Sequence, residues 1–170
     1  MKKLKFLFLT LMLTMLSCGN DDEGALESRD DFYSDALTTA TNEDLIGVWA
    51  IFNVGFEGQI AEVPEIYPEC GRDFFIYTDN GIYTEYLFQD SSCNFVINNL
   101  NWDLSNGIIT LSNEFNQSDD LVITSLNDNF FAFKSRLDID NDGTMDIISL
   151  LAQRYELNEI DTVSNTFGET

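Results

Sequence analysis

Phe74-Phe75-Ile76-Tyr77-Thr78-Asp79-Asn80-Gly81-Ile82-Tyr83-Thr84-Glu85-Tyr86-Leu87-Phe88 is the stretch that decides the fold. Two runs of aromatic and β-branched residues flank Asn80-Gly81, the pair that accepts the positive φ angles of a tight type I′ hairpin. A strand, a turn and an adjacent antiparallel strand follow from that order. Ser105-Asn106-Gly107 repeats the signal, and Asn127-Asp128-Asn129 is a third turn, because Asn and Asp bond back to their own backbone. Working outward, strand-like runs fall at 48–56, 74–78, 82–88, 94–98, 101–104, 108–111, 121–126, 130–136 and 147–155, with no long helical period between them. Taking 94–98 and 101–104 as one bent strand gives eight. The expected fold is all-β: an antiparallel up-and-down eight-stranded barrel, or alternatively a flattened meander β-sandwich.

The chain of 170 residues accommodates one such domain beside a targeting segment. Hydrophobic residues make up 44% of it and Phe alone supplies 14 positions, enough for a packed core. The formal charge is -22, from 30 acidic and 8 basic residues. Nucleic acid is excluded as a partner, since its affinity depends on Lys and Arg displacing condensed counterions. Anionic lipid headgroups repel the same surface, so membrane association requires an anchor. The absence of His removes the commonest zinc ligand and the commonest general base.

Residues 1–17 read as a signal peptide. Met1-Lys2-Lys3-Leu4-Lys5 is a basic start, and the apolar run at 6–16 is too short to span a bilayer. Leu16-Ser17-Cys18-Gly19 resembles the lipobox of bacterial lipoprotein precursors, and that resemblance makes Cys18 the acylated first residue of the mature chain. The acidic Asn20-Asp21-Asp22-Glu23 resembles the signals that carry some lipoproteins to the outer face of the outer membrane, with a plain solvated tether as the alternative. These readings imply a cell-envelope location. Residues 18–44 form an acidic, polar tether with one short helical turn, 45–157 the β domain, and 158–170 a flexible tail.

At the head of the first strand stands Leu45-Ile46-Gly47-Val48-Trp49. With this Gly-x-Trp, the later Asn-Gly hairpins and the Trp102-Asp103-Leu104 strand in the same order, residues 45–157 resemble the lipocalin-like lipoproteins, bacterial relatives of the calycins. The resemblance implies that Trp49 closes the barrel floor and that Arg154, on the last strand, packs across its face; such a guanidinium–indole contact is worth ~0.5–2 kcal/mol. The plain alternative is a core Trp and a solvated Arg.

Beyond Cys18 only Cys70 and Cys93 remain, and in an exported chain they are expected to pair. If Asn80-Gly81 is a two-residue turn, Cys70 falls opposite Ser91, one diagonal step from Cys93. Closing that loop is expected to stabilise the domain by ~3–4 kcal/mol.

Asp138-Ile139-Asp140-Asn141-Asp142-Gly143-Thr144-Met145-Asp146 carries the sharpest chemistry in the chain. Hard oxygen ligands at alternating positions around a glycine suit Ca²⁺, with carboxylates from Asp138, Asp140, Asp142 and Asp146 and the carbonyl of Thr144. The loop resembles the Asp-x-Asp-x-Asp-Gly loops of EF-hands and extracellular calcium repeats, but has Ser149 where the EF-hand places its bidentate Glu and no flanking helices. A structural Ca²⁺ clip on a β-hairpin is expected, with weak affinity of ~10⁻⁴–10⁻³ M; an acidic turn without a site is the alternative.

Nothing in the chain assembles a catalytic constellation, so the expected role is not enzymatic. A lipid-anchored protein that binds a small apolar ligand or an envelope partner is one reading, and a structural interaction module without a cavity is another. An eight-stranded barrel can be filled by its own side chains, which is where the two readings part. A carboxylate-based hydrolase is a third reading, and needs two carboxyls ~5–9.5 Å apart in a cleft.

Overall fold

The computed structural model of the protein describes residues 31–139 and 142–157. Its strands are β1 (Gly47–Phe56), β2 (Gln59–Glu62), β3 (Phe74–Tyr77), β4 (Ile82–Phe88), β5 (Phe95–Ser105), β6 (Ile108–Ser112), β7 (Ser118–Leu126), β8 (Phe130–Leu137) and β9 (Asp146–Arg154). Each pairs antiparallel with its sequence neighbour from β3 to β9, and β1 pairs with both β3 and β9. That last pairing closes the sheet. The result is an eight-stranded barrel, β1 and β3–β9, with β2 as an added strand folded back on the far half of β1 through Asn53↔Glu62 to Phe56↔Gln59. The flattened sandwich is thereby excluded, and the two runs at 94–98 and 101–104 are one continuous strand, β5.

The two Asn-Gly turns differ. Ser105 pairs with Ile108, and Asn106 (φ 52°) and Gly107 (φ 79°) both sit in the left-handed region, as a two-residue type I′ turn requires. At the first hairpin Tyr77 pairs with Tyr83, the Thr78 N–H reaches the Ile82 carbonyl (3.0 Å), and only Gly81 is left-handed. That is a three-residue loop in which Gly81 supplies the left-handed step, so the register is one residue off the two-residue expectation. Cys70 accordingly lies outside the β3 ladder, in the segment leading to it.

Alternation along the strands sends two sets of residues to two cores. The inward set, Trp49, Phe75, Tyr77, Tyr83, Trp102, Ile109, Ile123, Phe131 and Phe133 among them, fills one end of the barrel. The outward set on β1, β3 and β4 is also apolar: Ala50, Phe74 and Phe88 pack with Phe52, Tyr86 and Tyr155 beneath residues 63–73. This second layer explains why β3 reads Phe-Phe-Ile-Tyr without alternation, being covered on both faces.

Residues 31–44, tether by composition, lie against the barrel. A short 3₁₀ turn, Asp31–Tyr33, buries Phe32 completely, with the Arg136 guanidinium over its ring at 4.2 Å. The Leu37 N–H bonds the Ile123 carbonyl (2.7 Å), and its backbone would lie 2.6 Å from a Cβ at position 107, which only a glycine permits. A four-residue helix, α1 (Asn42–Leu45), capped by Thr41 and Asp44, then delivers Leu45 and Trp49 to the barrel floor. The signal segment 1–17, Cys18 and the tail 158–170 lie outside the described residues.

Candidate functional site

One end of the barrel is closed by a latch. The Arg154 guanidinium lies 3.9 Å above the Trp49 ring, and its donors reach the carbonyls of Ile46 (2.6 Å), Asp44 (2.8 Å) and Asp128 (3.2 Å). The Trp49 indole N–H bonds the Leu45 carbonyl at 2.7 Å. Gly47 makes the approach possible: a Cβ there would meet Arg154 Nη1 at 2.2 Å, and its φ of +131° disfavours any side chain. Gly47, Trp49 and Arg154 are thus one structural unit, and partial burial pulls the Arg154 pKa below its ordinary value.

The other end is hollow. A cavity of about 390 Å³ opens between β1, β4 and β9, with residues 63–73 as its outer wall. Ile51, Val54, Leu87, Ile148 and Leu150 make its apolar surface and Phe75 bounds it towards the filled half. Pockets of this size and character are the usual form of a small-molecule site. Among the described residues, exposed apolar side chains on the strands and loops of this end include Ile60, Ile66, Val96, Leu137, Ile139 and Met145, whereas the latched end carries Phe130 and Leu157.

Two devices hold the outer wall. Cys70 and Cys93 form a disulfide, with Cα atoms 5.2 Å apart, tying the wall to the loop after β4. Arg72, 9% exposed, lies over the Phe52 ring (4.2 Å), donates to the Val63 carbonyl and pairs with Glu62 and Glu65, each at 3.5 Å. A charge this enclosed needs such partners.

Polar groups inside the barrel are few. Glu85 faces the cavity from β4, on the inward side shared with Tyr83 and Leu87. Its carboxylate accepts the Tyr83 hydroxyl (3.4 Å) and the Asn98 amide (3.1 Å). Burial, with the Glu85 charge second, pushes the Tyr77 and Tyr83 hydroxyls above their ordinary value of 10.0. Among the described residues Tyr77 Oη has no hydrogen-bond partner. Sequence reading did not single out Glu85 or the wall function of Arg72; the signal for Glu85 was a charged residue at the inward parity of an aromatic strand.

The acidic loop joins β8 to β9, as the strand order demands. Asp138 accepts the N–H groups of Asp142 (3.1 Å) and Gly143 (3.0 Å), Asp142 accepts that of Thr144 (2.7 Å) and Asp146 that of Ile139 (3.2 Å); Gly143 has φ +88°. Among the described residues no group of three acidic or thiol side chains is arranged around a metal position, and Asp140 lies outside those residues.

A closed eight-stranded meander, latched at one end and hollow at the other, is the lipocalin fold. A model of the lipocalin-like domain family matches residues 45–133, more than half of the chain, and the protein belongs to that family. Among solved structures it is similar to a lipocalin-like protein from Bacteroides uniformis, with 10% identity, 66% of this chain and 99% of that one covered, and a TM-score of 0.47. An uncharacterized protein from Bacteroides eggerthii gives 12% identity, coverages of 65% and 99%, and 0.44. Bovine odorant binding protein, in complex with a selenium-containing odorant, gives 16%, coverages of 74% and 79%, and 0.41. No curated protein sequence matches the chain.

Proposed function

We propose that the protein is a lipid-anchored cell-envelope binding protein that holds a small apolar molecule in the open end of its barrel. The observation that carries this is the cavity of about 390 Å³ itself, walled by Ile51, Val54, Leu87, Ile148 and Leu150 in a barrel whose other half is filled. Apolar surface that the fold leaves uncovered gains from a ligand at ~25 cal/mol per Å². Members of the lipocalin-like family are generally binding proteins, and the chamber favours binding over hydrolysis on its own terms. Of its described carboxylates, Glu65 is paired with Arg72, Asp73 accepts the Phe88 N–H (2.7 Å) and Glu85 accepts Tyr83 Oη and Asn98 Nδ2, so no two of them stand as a free pair for a two-carboxylate mechanism.

The anchoring rests on the lipobox-like Leu16-Ser17-Cys18-Gly19. No helix among the described residues is long and apolar enough to cross a membrane. In this reading a lipid on Cys18 holds the protein at the outer membrane, and Ca²⁺ bound by Asp138, Asp140, Asp142, Thr144 and Asp146 stiffens the β8–β9 hairpin beside the cavity mouth. Partners are then the membrane through the lipid and a small hydrophobic ligand or an envelope protein at the apolar rim.

The test uses the neutral cavity dye N-phenyl-1-naphthylamine and decanol with the purified full chain. Enhanced dye fluorescence, displaced by decanol and lost in a folded Leu150→Trp variant that fills the cavity, is the expected result. Dye enhancement that survives Leu150→Trp unchanged would show that the cavity is not the site. For the anchor, Cys18→Ser is expected to move the protein from the detergent phase to the aqueous phase in cloud-point partitioning; equal partitioning refutes acylation.

A further inference from the structure

The cavity is apolar but its charge is one-sided. Three carboxylates (Glu65, Asp73, Glu85) and one guanidinium (Arg72) border it. Arg72 is committed to Glu62, Glu65, the Val63 carbonyl and the Phe52 ring, so among the described lining residues no cation is available to a ligand. Asp73 stands on the outer wall, at the end of residues 63–73, where its Oδ1 accepts the Phe88 N–H. Glu85 differs from both. It is half-buried, faces the cavity, and among the described residues no basic side chain pairs with it. Its two recorded donors, Tyr83 Oη at 3.4 Å and Asn98 Nδ2 at 3.1 Å, leave acceptor capacity, since a carboxylate offers about four lone-pair sites.

Position along the barrel gives the second half of the argument. Glu85 lies between Tyr83, which packs in the filled half, and Leu87, which lines the cavity, while its cross-strand neighbour Asn98 is exposed. The half-buried carboxylate therefore sits at the inner end of the cavity, level with Phe75, where the filled half gives way to the open one. A ligand with an apolar body against Ile51, Ile148 and Leu150 would present its polar end there.

Resting on the binding role proposed above, we infer that the chamber selects cationic amphiphiles, molecules with an apolar tail and a primary ammonium head that Glu85 receives. An ammonium supplies three donors to an acceptor-only group and neutralises its charge, and charge-assisted hydrogen bonds are roughly twice as strong as neutral ones. A fatty carboxylate of the same length meets only like charge. The overall charge of -22 acts in the same direction at longer range, attracting cations and repelling anions.

Calorimetric titration of the full chain with decylamine, decanol and decanoate, each below its micelle concentration, tests this. The expected order is decylamine tightest, by roughly tenfold over decanol, with decanoate weakest. Glu85→Gln keeps the shape, removes the charge and retains one acceptor oxygen for the Tyr83 and Asn98 donors, and is expected to bring decylamine down to the level of decanol while leaving decanol unchanged. Glu114→Gln, which removes an exposed charge from the loop after β6, is expected to change nothing. Decanoate binding as tightly as decylamine, or equal losses of decylamine affinity in the two variants, would overturn the inference. Failure of all three compounds to bind would instead overturn the binding role, and decanol binding without an amine preference would overturn only the selectivity. Matched melting curves for Glu85→Gln and the unaltered chain keep a folding defect from passing as a loss of binding.

Discussion

Replacing Arg154 by Ala tests the latch most directly. The guanidinium makes one stacking contact, on Trp49 at 3.9 Å, and three hydrogen bonds to main-chain carbonyls, of which the one to Ile46 is the most enclosed. The stacking contributes ~1 kcal/mol at a half-buried site, the Ile46 bond ~1.5 kcal/mol, and the two exposed bonds ~0.5 kcal/mol each after discounting for solvent. Together they amount to about 3.5 kcal/mol, which for a domain of this size lowers Tm by roughly 10–15 °C. Arg154→Lys keeps the charge but loses the planar fork, so it should recover only about a third of the loss. Differential scanning calorimetry at fixed protein concentration measures both. A Gly47→Ala change sharpens the logic, because its Cβ would meet Arg154 Nη1 at 2.2 Å. Gly47→Ala should therefore cost less in the Arg154→Ala background than alone, the remaining cost being that of a side chain at φ +131°. An Arg154→Ala protein within ~1 kcal/mol of the unaltered one, or strict additivity of the two changes, would refute the latch as a source of stability.

Three further outcomes are expected. Removing the disulfide with Cys70→Ser and Cys93→Ser together frees a loop with a sequence separation of 23 and should cost about 3 kcal/mol, read as a lower denaturation midpoint. Tyr77 and Tyr83 are held neutral by burial, so the folded state keeps protons that the unfolded chain releases above its tyrosine value of 10.0. Their contribution is complete below that pH and falls above it by about 1.4 kcal/mol per pH unit for each group, so denaturant midpoints should drop steeply between about pH 10 and 11; a flat profile there contradicts their burial. If Asp138 to Asp146 hold calcium, Ca²⁺ at ten times its Kd raises stability by about 1.4 kcal/mol in the unaltered chain and not in Asp140→Ala, and equal melting temperatures with and without Ca²⁺ in the unaltered chain would dismiss the site.

The barrel was legible because a strand that buries one face writes that face into the sequence at every second residue, as at Phe75, Tyr77, Tyr83 and Leu87. The turn at 79–81 was legible as a turn but not as a register, since Asn-Gly serves both a two-residue type I′ turn and a longer loop that ends on a left-handed glycine. Strand β2 escaped notice because all four of its residues are exposed, so no buried face marks it in the sequence. Phe32-Tyr33 and Ala36-Leu37 are short apolar pairs among polar residues, too few to carry a period; only the barrel wall shows that Phe32 is fully buried. Arg154 is far in sequence from Gly47 and Trp49, and a family resemblance rather than a pattern joined it to them.

The cavity belongs to a different class of property. Inward parity says which residues enter the barrel but not how well they fill it, and filling is a matter of volume at each level along the axis. An eight-stranded barrel has an interior just wide enough for its own side chains. At the latched end that width is met by Trp49, Tyr77, Tyr83, Trp102 and Phe131, whose rings pack at centroid separations of 4.8 to 5.2 Å where they adjoin. At the open end the inward positions of β1, β4 and β9 hold Ile51, Val54, Leu87, Ile148 and Leu150, smaller side chains on the same circumference, and the deficit is the cavity. Residues 63–73 do not make it good, because Arg72 and the Cys70–Cys93 bond hold that segment as a wall rather than letting it fall inward. The aromatic half thus supplies the stability that lets the aliphatic half stay open, and an apolar molecule bound there, as proposed above, would complete the packing that the chain leaves unfinished.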